Sequence, residues 1–370
     1  MAYGTVSADI IQSSVTGVSL GAGNATRFKN RIINGDMRID QRNAGASVTP
    51  TTSNTYLVDR WQAILTVSSK YSAQQNAGSV TPPAGYINYL GITSLSAYTV
   101  GASDAFSVTQ FIEGLNIADL GWGTANAKTV TLSAWVYSSL TGTFGGSLVN
   151  NASNRSYPFT YTISSANTWT QISITIPGDT SGTWLTTNGT GIRVYFSLGM
   201  GTTYSGTAGA WAAGFYESVT GATSVVGTNG ATFYITGVQL EVGSSATGFD
   251  YRDYTTELIM CQRYLYAINT VGTGDIGVGT SVTTAGGSVV VPLPVTPRVP
   301  PTGISITSVA NFSITTASVS AAASSITFGN AGPNGSRLNI STASTSFTGA
   351  QPLILFSGST GQILFTGCEL

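Results

Sequence analysis

Hydrophobic and polar residues alternate in several short segments in the middle of the chain. The alternation is clearest in residues 106–113, 172–176, 192–198 and 238–242. A period of two predicts β-strands with one face in a core and the other toward solvent. Residues 130–137 are apolar on both faces, which predicts a central strand.

Linkers rich in Gly, Asn and Ser separate these strands. Many short strands joined in this way favour an all-β fold, and in particular a two-sheet sandwich of the jelly-roll kind. One short helix is predicted near residues 256–264, with Thr256 as its N-cap and Glu257 at its positive end. A continued strand is also compatible with this segment.

The chain changes character at about residue 269. Its remaining charged residues are Asp275, Arg298, Arg337 and Glu369. Uncharged strands present edges that pair readily with other chains, and copies of the chain packed together would cover them. We therefore expect residues 269–370 to form a smaller C-terminal β domain stabilised by a homo-oligomeric interface.

Residues 1–30 carry too little apolar surface to fold alone, so they form a third zone. Such a segment orders when it packs against another protein, or it remains a frayed terminus. The predicted organisation is therefore residues 1–30, a jelly-roll domain at 31–268 and a β domain at 269–370.

Composition excludes several classes of function. Charged residues make up 8% of the chain, against about a quarter in an average soluble domain. A net charge of −1 provides no basic face for nucleic acid, and no apolar run approaches the ~20 residues of a membrane span. The start lacks the features of a signal peptide, which indicates synthesis in a cytoplasm. Cys261 and Cys368 are expected to be buried thiols.

The residues needed for most kinds of catalysis are absent. The chain has no histidine, so it has no Ser-His-Asp arrangement and no imidazole metal site. Two cysteines are too few for a structural zinc cluster, and we expect no metal or cofactor. Glycoside hydrolysis needs only two carboxylates, but the best acidic candidates lie among arginines.

Two charged clusters are predicted to be structural ion pairs. Their residues are Arg31, Asp36, Arg38, Asp40, Arg42, Asp59 and Arg60 in the first, and Asp250, Arg252, Asp253, Glu257 and Arg263 in the second. Forks between arginine and carboxylate are geometrically specific, so the two clusters could pin one another.

Aromatic residues near loops are the candidates for ligand binding. Sugars bind by stacking on Trp and Tyr faces with neutral hydrogen bonds, which requires little charge. Trp122, Trp184, Tyr204 and Trp211 are flanked by small and polar residues, and they are the candidate glycan platform. Core packing is equally compatible with their surroundings.

Several motifs, taken as a set, resemble those of a family of phage tail-fibre and virion structural proteins. The first is Arg-Phe-Lys-Asn-Arg-Ile-Ile-Asn-Gly-Asp-Met-Arg-Ile-Asp-Gln-Arg-Asn at residues 27–43, followed by Val-Asp-Arg-Trp at 58–61. Others are Phe-Ile-Glu-Gly at 111–114, Val-Thr-Leu-Ser-Ala-Trp at 130–135, Asn-Thr-Trp at 167–169, Ile-Pro-Gly-Asp-Thr at 176–180 and Gly-Thr-Trp at 182–184. The strongest are Ile-Thr-Gly-Val-Gln-Leu-Glu-Val-Gly at 235–243, Phe-Asp-Tyr-Arg at 249–252 and Cys-Gln-Arg-Tyr at 261–264.

The resemblance covers residues 27–266 and implies a jelly roll like that of a carbohydrate-binding module. It also implies trimers, an N-terminal segment that docks on the virion, and binding rather than catalysis. The working hypothesis is a homotrimeric tail fibre that is made in the host cytoplasm and resides in the virion. In it, residues 1–30 contact other virion proteins, and residues 269–370 bind host surface polysaccharide as the receptor-binding tip.

Three alternatives remain open at this point. One is a head fibre or structural spacer without a receptor role. Another is a tailspike-type polysaccharide depolymerase with a carboxylate pair. The last is a free bacterial carbohydrate-binding protein.

Overall fold

The chain divides into two compact units. The computed structural model describes residues 28–343 and 347–370, so nearly all of the predicted attachment segment at residues 1–30 lies outside the described residues. The first unit extends to Arg252 and includes Leu370, and the second is Asp253–Glu369. The change in sequence character falls later, at residue 269.

Thirteen strands build the described part of the first unit. They are β1 (Thr55–Val58), β2 (Trp61–Leu65), β3 (Tyr71–Gln75), β4 (Leu90–Ser94), β5 (Ala105–Glu113), β6 (Val130–Ser138), β7 (Gly142–Asn150), β8 (Ser156–Ile163), β9 (Thr170–Ile176), β10 (Thr190–Met200), β11 (Ser205–Gly206), β12 (Ser218–Val219) and β13 (Thr232–Val242).

The strands form the predicted jelly-roll sandwich. One sheet has the order β1-β2-β5-β10-β7-β8 and the other β3-β4-β13-β6-β9, while β11 and β12 pair separately. The core lies between the two sheets, where the rings of Phe144 on β7 and Phe233 on β13 are 6.0 Å apart between centroids. The prediction that residues 130–137 form a central strand is confirmed, because β6 pairs with β13 on one side and β9 on the other.

The predicted solvent face of two strands is in fact buried. Ser107 and Thr109 on β5 and Gln239 on β13 point away from the core and are fully covered. The alternation of apolar and polar residues correctly predicts which face of each of these two strands lies in the core. It does not reveal that loops cover the opposite, polar side.

Residues 30–41, which we call the clasp, bond to the five-stranded sheet. The side chain of Asn30 donates to the carbonyl of Val238 at 3.0 Å and accepts from the N–H of Leu240 at 3.0 Å. The backbone N–H of Arg31 also donates to the carbonyl of Leu240 at 2.9 Å. The start of the clasp is therefore bonded to β13.

The clasp bonds equally to the six-stranded sheet. The buried amide of Gln110, on β5, accepts from the N–H of Ile33 at 2.9 Å and donates to its carbonyl at 2.8 Å. The indole N–H of Trp61, on β2, donates to the carbonyl of Asn34 at 2.9 Å. The clasp thus joins the two sheets through hydrogen bonds that need no charge.

The two charged segments also meet here. Arg38 Nε lies 2.7 Å from Asp36 Oδ2, and Arg252 Nη2 lies 3.3 Å from Asp250 Oδ2. Arg38 Nη2 donates to the carbonyl of Arg252 at 2.7 Å, and Asp250 accepts from the N–H of Asn30 at 3.2 Å. Residues 250–252 are therefore anchored on the clasp.

The other charged residues of these segments bind a mixture of partners. Arg31 pairs with Asp119 at 2.7 Å, Asp40 accepts from the N–H of Gly45, Asp59 accepts from Gln41, Arg42 lies over the ring of Tyr56, and Arg60 donates to the carbonyl of Phe111. In the second unit, Glu257 is buried, and Arg263 donates to the carbonyl of Thr296 at 3.3 Å.

The second unit begins with the predicted helix, α1 (Tyr254–Gln262). Its N-cap is Asp253, not Thr256 as the sequence suggested. Asp253 is extended, and its carboxylate accepts from the N–H of Thr256 at 3.0 Å, which satisfies a donor of the first turn. Asp253 is the acceptor and Thr256 the donor of this capping hydrogen bond.

Nine strands follow the helix in those residues of the second unit that the structure describes. They are β14 (Tyr266–Thr270), β15 (Gly274–Thr283), β16 (Gly286–Pro292), β17 (Gly303–Thr307), β18 (Phe312–Thr315), β19 (Ser320–Ala331), β20 (Gly335–Thr342), β21 (Pro352–Ser357) and β22 (Gly361–Thr366).

Six of these strands close into a barrel in the order β15-β16-β20-β19-β18-β21, beside the three-stranded sheet β14-β22-β17. Closure removes strand edges. The expectation of sticky edges therefore does not hold for the barrel strands. Cys261 and Cys368 are both free and buried, and no helix among the described residues could span a membrane.

We expect Gln110→Ala to destabilise the first unit by roughly 2–4 kcal/mol, because it leaves the buried N–H and carbonyl of Ile33 without this partner. All six tryptophans lie in the first unit, so urea unfolding followed by tryptophan fluorescence measures the change. Gln74→Ala, which removes one partly exposed bond to Gly45, is the control and should cost less than about 1 kcal/mol. Equal losses would contradict a special role for the clasp.

Candidate functional site

A groove of about 330 Å³ opens on the first unit above the outer face of the six-stranded sheet. It is lined by Ser205, Gly206, Thr207, Ala210, Trp211, Ala212, Tyr216 and Thr220. Its polar groups are hydroxyls, backbone groups and the indole N–H of Trp211, and none of these lining residues is Asp, Glu, Lys or Arg.

Two very short parallel strands form one wall of the groove. Ser205 of β11 pairs with Ser218 of β12, and the N–H of Thr220 donates to the carbonyl of Gly206 at 3.2 Å. A Cβ atom on Gly206 would lie 2.8 Å from the ring of Tyr216, so only glycine allows the wall to pack this closely.

The opposite wall is bonded to the edge strand β8. Ala212 and Ser156 exchange both backbone hydrogen bonds, at 2.8 and 3.1 Å. The N–H of Gly209 donates to the carbonyl of Pro158 at 2.9 Å. Residues 209–212 are therefore held by main-chain contacts, which also position the ring of Trp211.

Trp211 is one of three mutually perpendicular indole rings. Its ring centroid is 5.4 Å from those of Trp122 and Trp184, and the latter two are 4.7 Å apart. Each ring N–H has a carbonyl acceptor: Lys128 for Trp122, Ser181 for Trp184 and Pro177 for Trp211. Edge-to-face packing with satisfied N–H groups makes this cluster rigid.

The four aromatic candidates, Trp122, Trp184, Tyr204 and Trp211, differ in how far they are exposed to solvent and in whether they line the groove. Trp122 and Trp184 are each only 6% exposed, so the expectation of an exposed platform is corrected for both. Trp211 is half-buried and contributes to the groove. Tyr204 stands beside the groove, with its ring 5.7 Å from that of Phe215.

Tyr216 and the hydroxyls of the groove were missed by the sequence analysis. The available signal was the small-residue character of residues 201–214, which allows a backbone wall to form beside an aromatic ring. That pattern does not show which strand the wall would contact.

An ion pair fixes the loop behind Trp211. Arg155 holds Asp179 in a two-bond fork, at 2.8 Å from Nε and 2.6 Å from Nη2. The guanidinium also lies 6.0 Å from the ring centroid of Trp211. This pair raises the pKa of Arg155, so its charge persists throughout the physiological range.

One carboxyl group lies beneath the groove wall. Glu217 is 3% exposed and accepts a long hydrogen bond of 3.4 Å from Ser107. Burial raises its pKa to about 7, although the bond from Ser107 and the charge of Arg193 act in the opposite direction. No Asp or Glu lines the groove, and the described residues contain no group of three or more potential metal ligands.

A second, smaller cavity of about 160 Å³ lies between the clasp and residues 85–87. Asp36, Arg38, Tyr86 and Tyr251 contribute to its lining. The hydroxyl of Tyr251 donates to the carbonyl of Gly85 at 2.7 Å, and Asp36 and Arg38 bind each other. Because these polar groups are already paired, we take the groove beside Trp211 as the candidate site.

Comparison with known proteins finds neither a matching family model nor a matching curated protein. Similar solved structures include the enzymatically active domain of tailspike protein 4 of bacteriophage CBA120, at 10% identity and a TM-score of 0.32. The matched region covers 58% of this chain but only 21% of the tailspike chain.

Two further similar structures are carbohydrate-binding modules. The family 11 module from Clostridium thermocellum, in complex with a mixed-linked tetrasaccharide, has 10% identity and a TM-score of 0.28, over 52% of this chain and 95% of the module. The module TmCBM61, in complex with β-1,4-galactotriose, has 10% identity and a TM-score of 0.29, over 58% and 99%. Values of this size do not establish membership of a family.

We expect Trp184→Ala to destabilise the first unit by about 3–5 kcal/mol, because the ring is buried against two other indoles. Trp211→Ala should cost less, since its ring is already partly in contact with solvent. Urea unfolding followed by the remaining tryptophans compares the two variants. An equal or larger loss for Trp211→Ala would contradict the burial order described here.

Proposed function

We propose that the protein binds carbohydrate in the groove beside Trp211. The observation that carries this proposal is a half-buried indole ring in a groove that is also lined by Ser205, Thr207 and Thr220. An aromatic face with neutral hydrogen-bonding groups suits a sugar ring. Cleavage of a glycosidic bond would need two carboxylates at the groove, so the lining supports binding without hydrolysis.

We further propose that the protein is a phage tail fibre residing in the virion. The resemblance of residues 27–61 and 235–264 to tail-fibre and virion structural proteins supports this role. In this proposal residues 1–30 attach to other virion proteins, and host surface polysaccharide is the ligand. A head fibre or spacer would share the attachment but not the sugar binding, so a binding experiment separates these roles.

A homotrimer completes the proposal, and the outer face of the barrel suggests where copies of the chain meet. Val290, Val278 and Ile354 lie directly opposite one another on β16, β15 and β21. Val278 and Val290 are 66% and 52% exposed, which is unusual for neighbouring valines. Arg337 on β20, opposite Val290, and Asp275 on β15 are both exposed and could pair between copies.

The groove is tested by incubating the purified protein with intact candidate host cells, their extracted surface polysaccharide and an array of defined oligosaccharides. We expect Trp211→Ala and Thr207→Val to weaken binding about tenfold, because they remove the stacking face and one hydroxyl. Trp169→Ala is the matched control: its ring is also half-buried but lies beside β9 of the other sheet.

Released reducing ends are recorded with bound protein. New reducing ends would show that the protein cleaves the polysaccharide, and a hydrolase would then replace the binding protein as the proposed function. Binding lost in Trp169→Ala but kept in Trp211→Ala would place the site elsewhere. Absence of binding to every cell, polysaccharide and oligosaccharide would favour a structural role.

The assembly is tested by sedimentation of the double variant Val278→Lys/Val290→Lys. We expect it to be monomeric where the parent protein is trimeric, because each interface would bury uncompensated lysines. Val271→Lys changes a valine that is 93% exposed outside these strands and should leave the trimer intact. A trimer that survives the double substitution would exclude this face.

A further inference from the structure

Glu217 lies at a point where three parts of the groove converge. Tyr216 precedes it and lines the groove, and Ser218 follows it and begins β12. Its backbone N–H donates to the carbonyl of Tyr204 at 2.9 Å, immediately before β11. A displacement of Glu217 would therefore move both short strands of the groove wall.

The side chain of Glu217 lies against the polar outer face of the six-stranded sheet. On β5 its neighbour is Ser107, and on β10 the titratable groups that act on it or respond to it are Arg193 and Tyr195. The strand β7 packs against β12 and brings Ser147, opposite Tyr195, to this face without charge.

These surroundings suit a neutral carboxyl better than a carboxylate. Within the described residues, the one hydrogen bond to the side chain comes from Ser107, at 3.4 Å. The hydroxyls of Ser197, opposite Ser107, and of Ser218 are buried, and neither donates to this carboxyl or to any other group of the described residues. A buried carboxylate normally requires several donors or a close cation.

We propose that Glu217 is the positioning residue of the groove and that its neutral form holds the β11–β12 wall in place, so that the affinity of the groove for sugar falls as the pH rises. The effect on sugar affinity rests on the proposed function. The effect on the wall itself does not.

The direction of the pH effect follows from linkage. The pKa of Glu217 is about 7 in the folded protein, against 4.5 for an ordinary glutamate. The neutral group therefore stabilises the folded wall fully below a pH of about 4.5, and this stabilisation is lost as the pH rises through about 7. Above that range, the charged group favours conformations that expose it to water.

The pH-dependent loosening of the groove wall is tested without a ligand, by acrylamide quenching of the fluorescence of Trp211. The signal of Trp211 is the difference between the protein and its Trp211→Phe variant. We expect the quenching constant to rise by about twofold between pH ~6 and pH ~8.5, with its midpoint near 7. Glu217→Gln is uncharged at every pH and should give a flat, low profile.

Two further variants distinguish positioning from a purely structural role. Ser107→Ala removes a bond that lowers the pKa of Glu217, so it should move the midpoint to higher pH. Glu241→Gln changes a carboxyl that is equally buried on β13, where Thr247 donates to it, and should leave the midpoint unchanged. A flat profile for the parent protein, or a transition that persists in Glu217→Gln, would overturn the proposal.

The same pH series is then repeated with the polysaccharide or oligosaccharide that binds. We expect affinity to decline about tenfold across this range for the parent protein and to stay constant for Glu217→Gln. If no sugar binds but the quenching transition is present, the carbohydrate function fails and the positioning role stands. If sugar binds with no pH-dependent difference between the two proteins, the coupling to affinity is wrong.

Discussion

Buried amide side chains that bond to the backbone of residues 30–41 hold the sandwich together. Asn30 reaches β13 in one sheet, and Gln110 reaches the clasp from β5 in the other. A sandwich could rely on apolar contact alone, but here a segment without regular secondary structure is buried, and its backbone N–H and carbonyl groups need partners. Amides supply a donor and an acceptor without the desolvation cost of a charge. The position of the 250–252 segment depends on the same clasp.

The few charged residues mainly form hydrogen bonds and ion pairs that hold parts of the chain together. Arg252 donates to clasp carbonyls, Arg155 and Asp179 brace the loop behind Trp211, and Asp253 caps α1. The lining of the groove is left uncharged as a result. In the proposed function, this neutral, hydroxyl-bearing surface beside an aromatic ring would contact a neutral polyol.

The sequence predicted the fold class, the core side of the four alternating strands and a short helix near residues 256–264, because these follow from local periodicity. It misplaced the N-cap of that helix, which is Asp253 and not Thr256. It did not predict that Ser107 and Thr109 would be covered, because the covering loop comes from about 100 residues further along the chain. Trp122 and Trp211 have similar neighbours in the sequence. Only the packing of three indoles, contributed by distant loops, makes one buried and the other a candidate contact for sugar.

Closure of the barrel formed by β15, β16 and β18–β21 affects which substitutions the protein can tolerate. Every barrel strand already has both of its hydrogen-bonded neighbours, so its pairing is held on two sides and not by the hairpin loops alone. Substitutions and insertions in such loops are tolerated at little cost in stability. The groove of the first unit has no such freedom, because Gly206 and Ala212 are bonded directly into its walls. Within one chain, therefore, the barrel loops can accept substitutions that the walls of the groove cannot.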